Sequence, residues 1–132
     1  MLRNVPFYMN LHLPRAINNM RYSFRNTPII YGIRCRVTGM MYIGSTVTPQ
    51  HRFQKHLIAH THSSSDLQAD MDKYGLQSIT VHILEVVKFP AHLSSSLHKS
   101  YLTQVEQTYI DRWPKAKRYN IRDSYVRKNC AY

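Results

Sequence analysis

The chain has 132 residues and a mass of 15.6 kDa, a size that fits one domain with one hydrophobic core. It carries 18 Lys and Arg against 7 Asp and Glu, a formal charge of +11, so a polyanion is the first partner to expect. A hydrophobic share of 43% argues against a disordered basic tail, and no apolar run is long enough for a membrane span. Cys35 and Cys130 lie far apart, which disfavours a disulfide scaffold and favours a reducing compartment.

The first 27 residues are the most one-sided segment of the chain. They contain no acid and four arginines, which are Arg3, Arg15, Arg21 and Arg25. This composition is typical of an organelle-targeting segment or of a nucleic-acid-binding arm. Pro6 and Pro14 interrupt any long amphipathic helix there, which disfavours a transit peptide. We therefore predict that residues 1–27 form a basic N-terminal arm whose arginines contact nucleic acid.

A β-hairpin is predicted for the segment that follows Pro28, because IIYGIRCRV and MMYIGST are rich in strand-forming residues and flank a Thr-Gly pair. A turn at Thr38-Gly39 pairs Tyr31 with Thr46, and a symmetric four-residue loop gives the same facing. In either case Tyr31 and Tyr42 project from one face of the ribbon. The first register places them about 13 Å apart along the strands, close enough to flank one phosphate group.

Helices and one more strand are predicted after the hairpin. Thr48-Pro49 indicates a helix start, and the helix is expected to run to about His60. Its face carries Arg52, His56 and His60. Ser65 and Gly75 bound a second helix, residues 79–87 alternate as a strand, and residues 94–113 have a helical period. The order β-β-α-α-β-α predicts a small α/β domain with a three-stranded, largely antiparallel sheet flanked by helices.

The hairpin tyrosines and the residues after them resemble a known family. IIY at 29–31 and YIG at 42–44 are followed by Arg52, His56, the HSSSDLQ segment with His62, the KYG before the third strand, Glu106 in an ExxxI helix, and Tyr119-Asn120-Ile121. This pattern resembles the GIY-YIG nuclease family, and most of all the catalytic domains of intron-encoded homing endonucleases. The resemblance covers about 28–123, with residues 124–132 left as a basic C-terminal tail. One departure is Ile29, which stands where the motif has its first glycine.

The resemblance implies a phosphodiesterase site, and the residue types suit that chemistry. Glu106 is the expected metal ligand, because Mg²⁺, or another divalent ion such as Mn²⁺, prefers oxygen donors and often uses one carboxylate with water and phosphate. Arg52 offers a planar, permanently charged fork for phosphate, and the resemblance gives it transition-state stabilisation. His56 is expected to relay a proton or to hydrogen-bond the phosphate. For each, the alternative is an ordinary surface side chain.

The two tyrosines and two supporting residues complete the predicted site. A tyrosine of the family signature is held to activate or position the water, a role that the resemblance carries to Tyr42, with Tyr31 as its partner. Packed core positions are the alternative, because Ile29 and Ile33 share the predicted face. Asn120 and His62 are expected to support the site, or to be structural. The spacing of the histidines also suits zinc, but no cysteine lies close enough to favour that ion.

Two functions follow from these residues. The first is a metal-dependent DNA endonuclease of homing-endonuclease type. The second is a non-catalytic nucleic-acid-binding protein derived from such a domain, for example an RNA-binding component of an organellar ribosome. The basic segments favour this second function. It is also favoured by the expectation that residues 121–132 are too few for an appended DNA-recognition domain. Neither function involves a membrane, and both place the protein in a mitochondrion or another intracellular compartment that contains nucleic acid. Further contacts to nucleic acid are expected from a set of basic residues, namely Lys55, Lys115, Lys117, Arg118 and Arg122.

Overall fold

The computed structural model describes residues 6–58 and 65–119, and for His56, Ile58 and Ser65 it describes the backbone alone. The strands are β1 (Phe7–Tyr8), β2 (Ile29–Cys35), β3 (Met41–Thr46) and β4 (Ile79–Val86). The α-helices are α1 (Pro14–Ser23), α2 (Pro49–Phe53), α3 (Ser65–Tyr74) and α4 (His98–Arg112). A π-helical turn, Gln54–Ile58, continues α2, and 3-10 turns lie at Leu76–Ser78, Ser95–Leu97 and Lys115–Lys117. In this part of the chain no helix is long and apolar enough to span a bilayer.

The four strands form one antiparallel sheet in the order β1-β4-β2-β3. The predicted α/β class is confirmed, whereas the predicted number of strands is corrected from three to four because β1 pairs with β4. Among the described residues β3 is an edge strand, and on its outer side Met41 bridges to Arg118. At the opposite edge of the sheet, β1 pairs with β4 over two residues. The edge formed by β3 is where the candidate site lies.

Part of the basic N-terminal segment, which is predicted as an arm, packs against the sheet within residues 6–27. Leu11 and Met20 are completely buried, and Ile17 is nearly so, in the same core as the sheet. Pro14 does not break a helix but begins α1, since a proline at the first helical position has no N–H to lose. The apolar residues that pack into the core lie between the arginines of this segment in the sequence. Residues 1–5, with Arg3, lie outside the described residues.

The hairpin has the four-residue loop rather than the tight Thr38-Gly39 turn. Tyr31 pairs with Gly44 instead of Thr46, and Gly39 closes the loop with a φ of 77°. The facing of the tyrosines is unchanged, because both registers keep Tyr31 and Tyr42 on one side of the ribbon. Their separation is corrected from four residues to two, which makes them diagonal neighbours about 7–8 Å apart. A bulge after Ile30 lies on the β4 side of β2 and leaves this pairing intact.

The two faces of the sheet bury separate apolar clusters. Tyr31, Ile33 and Cys35 lie in a cluster with residues of α1, α2 and α3. Ile30 and Ile43 lie on the other face, against Leu102 and Ile110 of α4. The alternation along β2 and β3 therefore sends consecutive residues to opposite layers. As a result, side chains from two different helical layers reach the edge of β3.

The predicted helices form, with changes at their ends. α2 begins at Pro49 as expected, but the Thr48 side chain does not cap the helix. The backbone N–H of Thr48 donates to the Thr46 hydroxyl at 3.1 Å. After Phe53 the helix widens into the π turn, which the sequence pattern does not predict. Gly75 follows α3, as predicted, and has a φ of 80°. The last helix begins at His98, later than predicted, because a 3-10 turn occupies residues 95–97.

His82 of β4 makes the stability of this fold depend on pH. Its Nε2 lies 3.0 Å from the Thr80 hydroxyl, and its Nδ1 has no hydrogen-bond partner among the described residues. Burial, with the charge of Arg34, lowers the pKa of His82 from 6.5 to about 4. Between these pH values the unfolded chain binds a proton at His82 that the folded chain does not bind. The contribution of His82 to the free energy of unfolding is therefore greatest above pH 6.5, and it falls as the pH drops toward 4.

We expect this loss to reach at most about 3 kcal/mol, and His82→Phe to remove it. The measurement is urea unfolding of both proteins across that pH range. The matched control is His92→Gln, a change at an exposed histidine, which should keep the wild-type pH dependence. Equal stability of the wild-type protein at both ends of the range would contradict the expectation.

Candidate active site

Gly44 lets the Tyr31 ring reach the edge of the sheet. A β-carbon at residue 44 would lie 2.6 Å from the Tyr31 hydroxyl oxygen and 3.1 Å from Cε1 of Tyr42. No side chain fits at this distance, so the glycine of the YIG tripeptide is needed for a close approach rather than for a turn. Tyr31 is fully buried, and its ring meets Phe53 of α2 edge-to-face with centroids 5.1 Å apart. The two tyrosines therefore converge on the backbone of β3.

Arg52 lies at the Tyr31 hydroxyl. The guanidinium donates a hydrogen bond to the phenol oxygen, and the Arg52 side chain as a whole is exposed to solvent. Burial raises the pKa of Tyr31 well above its usual value, the neighbouring Tyr42 and Glu106 raise it further, and Arg52 opposes them. Tyr31 consequently keeps its proton at neutral pH. In its hydrogen bond with the Arg52 guanidinium, the phenol oxygen is the acceptor.

Glu106 reaches the same stretch of β3 from the other layer. It is 4% exposed, and its Oε1 accepts a hydrogen bond from the Ser45 hydroxyl at 2.5 Å. Ser45 follows Gly44 and faces α4, as its pairing with Ile30 requires. A buried carboxylate held by a hydroxyl is fixed in orientation, and this side chain makes further contacts as well. The structure thus brings Glu106 to the edge at which the tyrosines converge.

Four of the predicted site residues are therefore close together. Tyr31 and Tyr42 approach Gly44 from one face of the sheet, Arg52 donates a hydrogen bond to the Tyr31 hydroxyl, and Glu106 acts electrostatically on the same phenol. Tyr42 is 8% exposed. The arrangement combines a hydroxyl donor, a cation and a carboxylate within one small region. These are the groups that bind a phosphate diester and orient a water beside it.

The donor set fits a hard divalent ion, with one ligand from the protein. Glu106 offers a fixed carboxylate oxygen, and Mg²⁺ commonly takes one or two carboxylates and completes its octahedron with water and phosphate. Within residues 6–58 and 65–119, no three His, Cys, Asp or Glu residues are grouped closely enough to form a metal cage. A bound ion would therefore take most of its ligands from water and substrate.

The remaining predicted site residues are placed only in part. His56 belongs to the π turn one turn after Arg52, but only its backbone is described. His60, His62 and Asn120 lie outside the described residues. Their predicted roles stay predictions.

The basic residues do not form one surface. Arg15, Arg25 and Lys55 are exposed near α1 and α2, while Arg21 is half-buried and donates to the Gln50 carbonyl at 2.9 Å, which ties α1 to α2. Lys115 and Lys117 are exposed in a 3-10 turn.

Arg118 is buried, although the sequence predicts that it contacts nucleic acid. It is 5% exposed and donates to the carbonyls of Ile110 and Trp113 at the end of α4, so its charge stabilises the helix end and is not available to nucleic acid. It also pairs with Met41 at the start of β3, which places Lys115 and Lys117 at the far end of that strand from Ser45. Arg122 lies outside the described residues.

Two residues of the site were missed by sequence reasoning. Ser45 lies on the α4 face, where alternation from Ile43 already places it, but its contact with Glu106 leaves no sequence signal. The crowding at Gly44 follows only from the observed register, which pairs Tyr31 with Gly44 rather than with Thr46.

Replacing Gly44 by alanine should disable the site without unfolding the protein. The new methyl group would displace the Tyr31 phenol and the Tyr42 ring, at a cost of about 1–3 kcal/mol in the free energy of unfolding. Gly39→Ala is the matched control: it strains a positive φ but meets no atom within 4 Å, so its cost is about 1 kcal/mol. The predicted DNA cleavage should be lost only in Gly44→Ala, and thermal unfolding should show that both variants remain folded. Equal activity of the two variants would contradict this account.

Comparison with known proteins agrees with the geometry. Residues 27–120 match the model of the GIY-YIG catalytic domain, so the chain belongs to the GIY-YIG family and carries a nuclease domain of that type. Among solved structures it is similar to the catalytic domain of the intron endonuclease I-TevI, determined as a glutamate-to-alanine mutant. The two share 26% identity with a TM-score of 0.57, over 74% of this chain and 95% of the other. No curated protein sequence matches the chain significantly.

Proposed function

We propose that this protein is a metal-dependent DNA endonuclease of homing-endonuclease type that hydrolyses phosphodiester bonds. One observation carries the proposal: the Tyr31 hydroxyl, the Arg52 guanidinium and the Glu106 carboxylate meet at residues 44 and 45 of the edge strand β3. A cation beside a fixed carboxylate suits a reaction that needs both an anionic substrate and a hard divalent ion. GIY-YIG nucleases are generally dependent on divalent metals, and the solved relative is an intron endonuclease.

Arg52 binds the scissile phosphate in this mechanism. Its guanidinium is exposed, so a non-bridging phosphate oxygen reaches it from solvent and accepts two parallel hydrogen bonds. As charge grows on that oxygen in the transition state, the contact strengthens, which lowers the barrier.

Tyr31 donates a hydrogen bond and does not remove a proton. Its raised pKa keeps the phenol protonated, and a neutral hydroxyl at the edge of β3 orients the phosphate or the attacking water. Tyr42 lies beside it and is the group we assign to water positioning. His56 on the next turn of the helix is assigned to proton transfer.

Glu106 would hold Mg²⁺ or Mn²⁺ through the carboxylate that Ser45 orients. A bound divalent ion supplies charge neutralisation on the phosphate and increases the acidity of water. Glu106 is nearly inaccessible in the free protein, so its desolvated carboxylate gains more from a cation there than it would in water.

Plasmid nicking tests the proposal. We expect the wild-type protein to convert supercoiled DNA to open-circular or linear DNA with Mg²⁺ and to leave it intact in EDTA. A structured RNA of equal length serves as the second substrate. Failure to cut DNA with Mg²⁺ or Mn²⁺, under conditions in which the protein binds that DNA, would overturn the proposal in favour of the non-catalytic binding role.

Binding alone does not separate the two functions. A charge of +11 predicts salt-dependent affinity for DNA and RNA in either case. The proposed location, a mitochondrion or another compartment that contains nucleic acid, rests on composition and on this partner. Cleavage is therefore the property that distinguishes a nuclease from a binding protein here.

A further inference from the structure

A groove of about 550 Å³ adjoins the candidate active site and is not used by the mechanism above. We call it the α4 groove, because it follows α4 from Leu102 to Lys99 and His98. Ser45 and Arg52 line it too, so it is continuous with the site. Leu102 lies one helical turn before Glu106, and Lys99 lies two turns before it, which extends the groove about 10 Å from the carboxylate along the helix axis.

The wall of the α4 groove is mostly apolar and partly aromatic. Val47, Phe89 and Leu102 contribute to its lining. The Phe89 ring stacks on the His98 imidazole with centroids 3.9 Å apart and planes within 5°, and it meets Tyr101 edge-to-face. A held aromatic ring is a rigid surface on which a flat group can stack at little entropic cost.

The charged side chains that line the α4 groove are Lys99 and Arg52, and both are exposed. A groove built for phosphate alone would be polar throughout, whereas this one adds two cations to a mostly apolar wall. The combination matches a nucleotide, whose base is flat and apolar on its faces and whose two flanking phosphates are anionic.

We propose that the α4 groove holds the unstacked base of the nucleotide next to the scissile phosphate, and that Lys99 binds the phosphate on the far side of that nucleotide. This rests on the proposed function, because Arg52 is taken to hold the scissile phosphate itself. The volume is within the range of small-molecule pockets and accommodates one nucleoside. A base stacked inside a duplex cannot face this wall, so the cleaved strand must be locally opened or single-stranded there.

Direct binding of single strands tests the α4 groove without any cleavage. The probes are fluorescein-labelled oligothymidylate and an abasic strand of the same length, titrated in EDTA and followed by anisotropy. We expect the wild-type protein to prefer oligothymidylate by about tenfold, because a base gains binding energy by stacking on an aromatic side chain. Phe89→Ala and Phe89→Leu should both remove the preference. Lys99→Gln should weaken both strands equally.

Controls separate the groove from general binding and from folding. Phe89→Leu keeps an apolar side chain against the cluster that contains Leu102 and Ile110. Thermal unfolding checks that both Phe89 variants are folded. Tyr22→Ala removes an exposed aromatic ring on α1, and Lys117→Gln removes an exposed charge at the far end of β3; both should keep the preference for bases. A wild-type protein that binds the two strands equally would overturn the inference, as would a folded Phe89→Leu variant that keeps the preference.

Failure of this inference and failure of the proposed function give different results. A protein that cuts plasmid DNA with Mg²⁺ but binds abasic and base-bearing strands equally refutes the groove assignment alone. A protein that shows the Phe89-dependent preference but never cuts DNA refutes the nuclease proposal and keeps the base-binding groove.

Discussion

Glu106→Gln is expected to lower the rate of metal-dependent DNA cleavage by about 1000-fold while leaving DNA affinity in EDTA unchanged. Glutamine has the same shape as glutamate, and its amide oxygen still accepts the Ser45 hydrogen bond, so the fold should be preserved. What is lost is the negative charge that attracts a divalent ion, whose effect on a transition state is worth several kcal/mol. Since each 1.4 kcal/mol is about tenfold in rate, a loss of this size follows. The measurement is single-turnover cleavage with saturating protein and Mg²⁺.

Glu85→Gln is the matched control for Glu106. Glu85 is also a partly buried carboxylate on the α4 side of the sheet, and it accepts a hydroxyl hydrogen bond, from Tyr109 at 2.6 Å. It lines neither the edge of β3 nor the candidate site. We expect this variant to cut DNA at the wild-type rate. Equal losses in the two variants would show that the effect comes from packing at α4 and not from metal binding.

Arg52→Ala is expected to lower the single-turnover rate by about 100–1000-fold, the range typical for one donor that stabilises developing charge. Arg52→Lys should recover only part of this loss, because an ammonium group carries the charge without the planar fork. The alanine variant should also expose the Tyr31 hydroxyl, which Arg52 contacts. Measured at saturating protein, the losses report on the chemical step rather than on binding.

Arg25→Ala is the control for charge. Arg25 is exposed and lies between α1 and β2, so its removal should weaken DNA affinity slightly and flatten the salt dependence without changing the saturated rate. If Arg52→Ala behaved in the same way as Arg25→Ala, Arg52 would be one of many phosphate contacts and not part of the chemistry.

Local sequence signals predicted most of the elements because they depend on neighbouring residues. Proline at the first helical position marked the start of α2, and strand-forming residues with a Thr-Gly pair marked the hairpin. Alternation then fixed the facing of Tyr31 and Tyr42, which survives any even shift of register. The family of the chain was also predicted correctly from the spacing of the motif residues.

Features that depend on tertiary packing were not predictable in the same way. The register of the hairpin was set by the packing of its core face, and the strand count changed because β1 pairs with β4 over only two residues, too short a segment to leave a period. Arg118 looks the same in sequence as its exposed neighbour Lys117, and only the end of α4 decides that it is buried. Ser45 orients Glu106, which lies 61 residues later in the chain, so no local pattern reveals this contact.

The coupling between Arg52 and Glu106 tests the central claim most directly, since these residues come from different layers and are asserted to act on one phosphate. The measurement is the single-turnover cleavage rate of the wild-type protein, Arg52→Ala, Glu106→Gln and the double variant. We predict that the double variant is little slower than the slower single variant, because groups that act as a unit give strongly non-additive losses. A double variant whose loss equals the product of the two single losses would mean that the residues act independently, and would contradict a shared catalytic centre at the edge of β3.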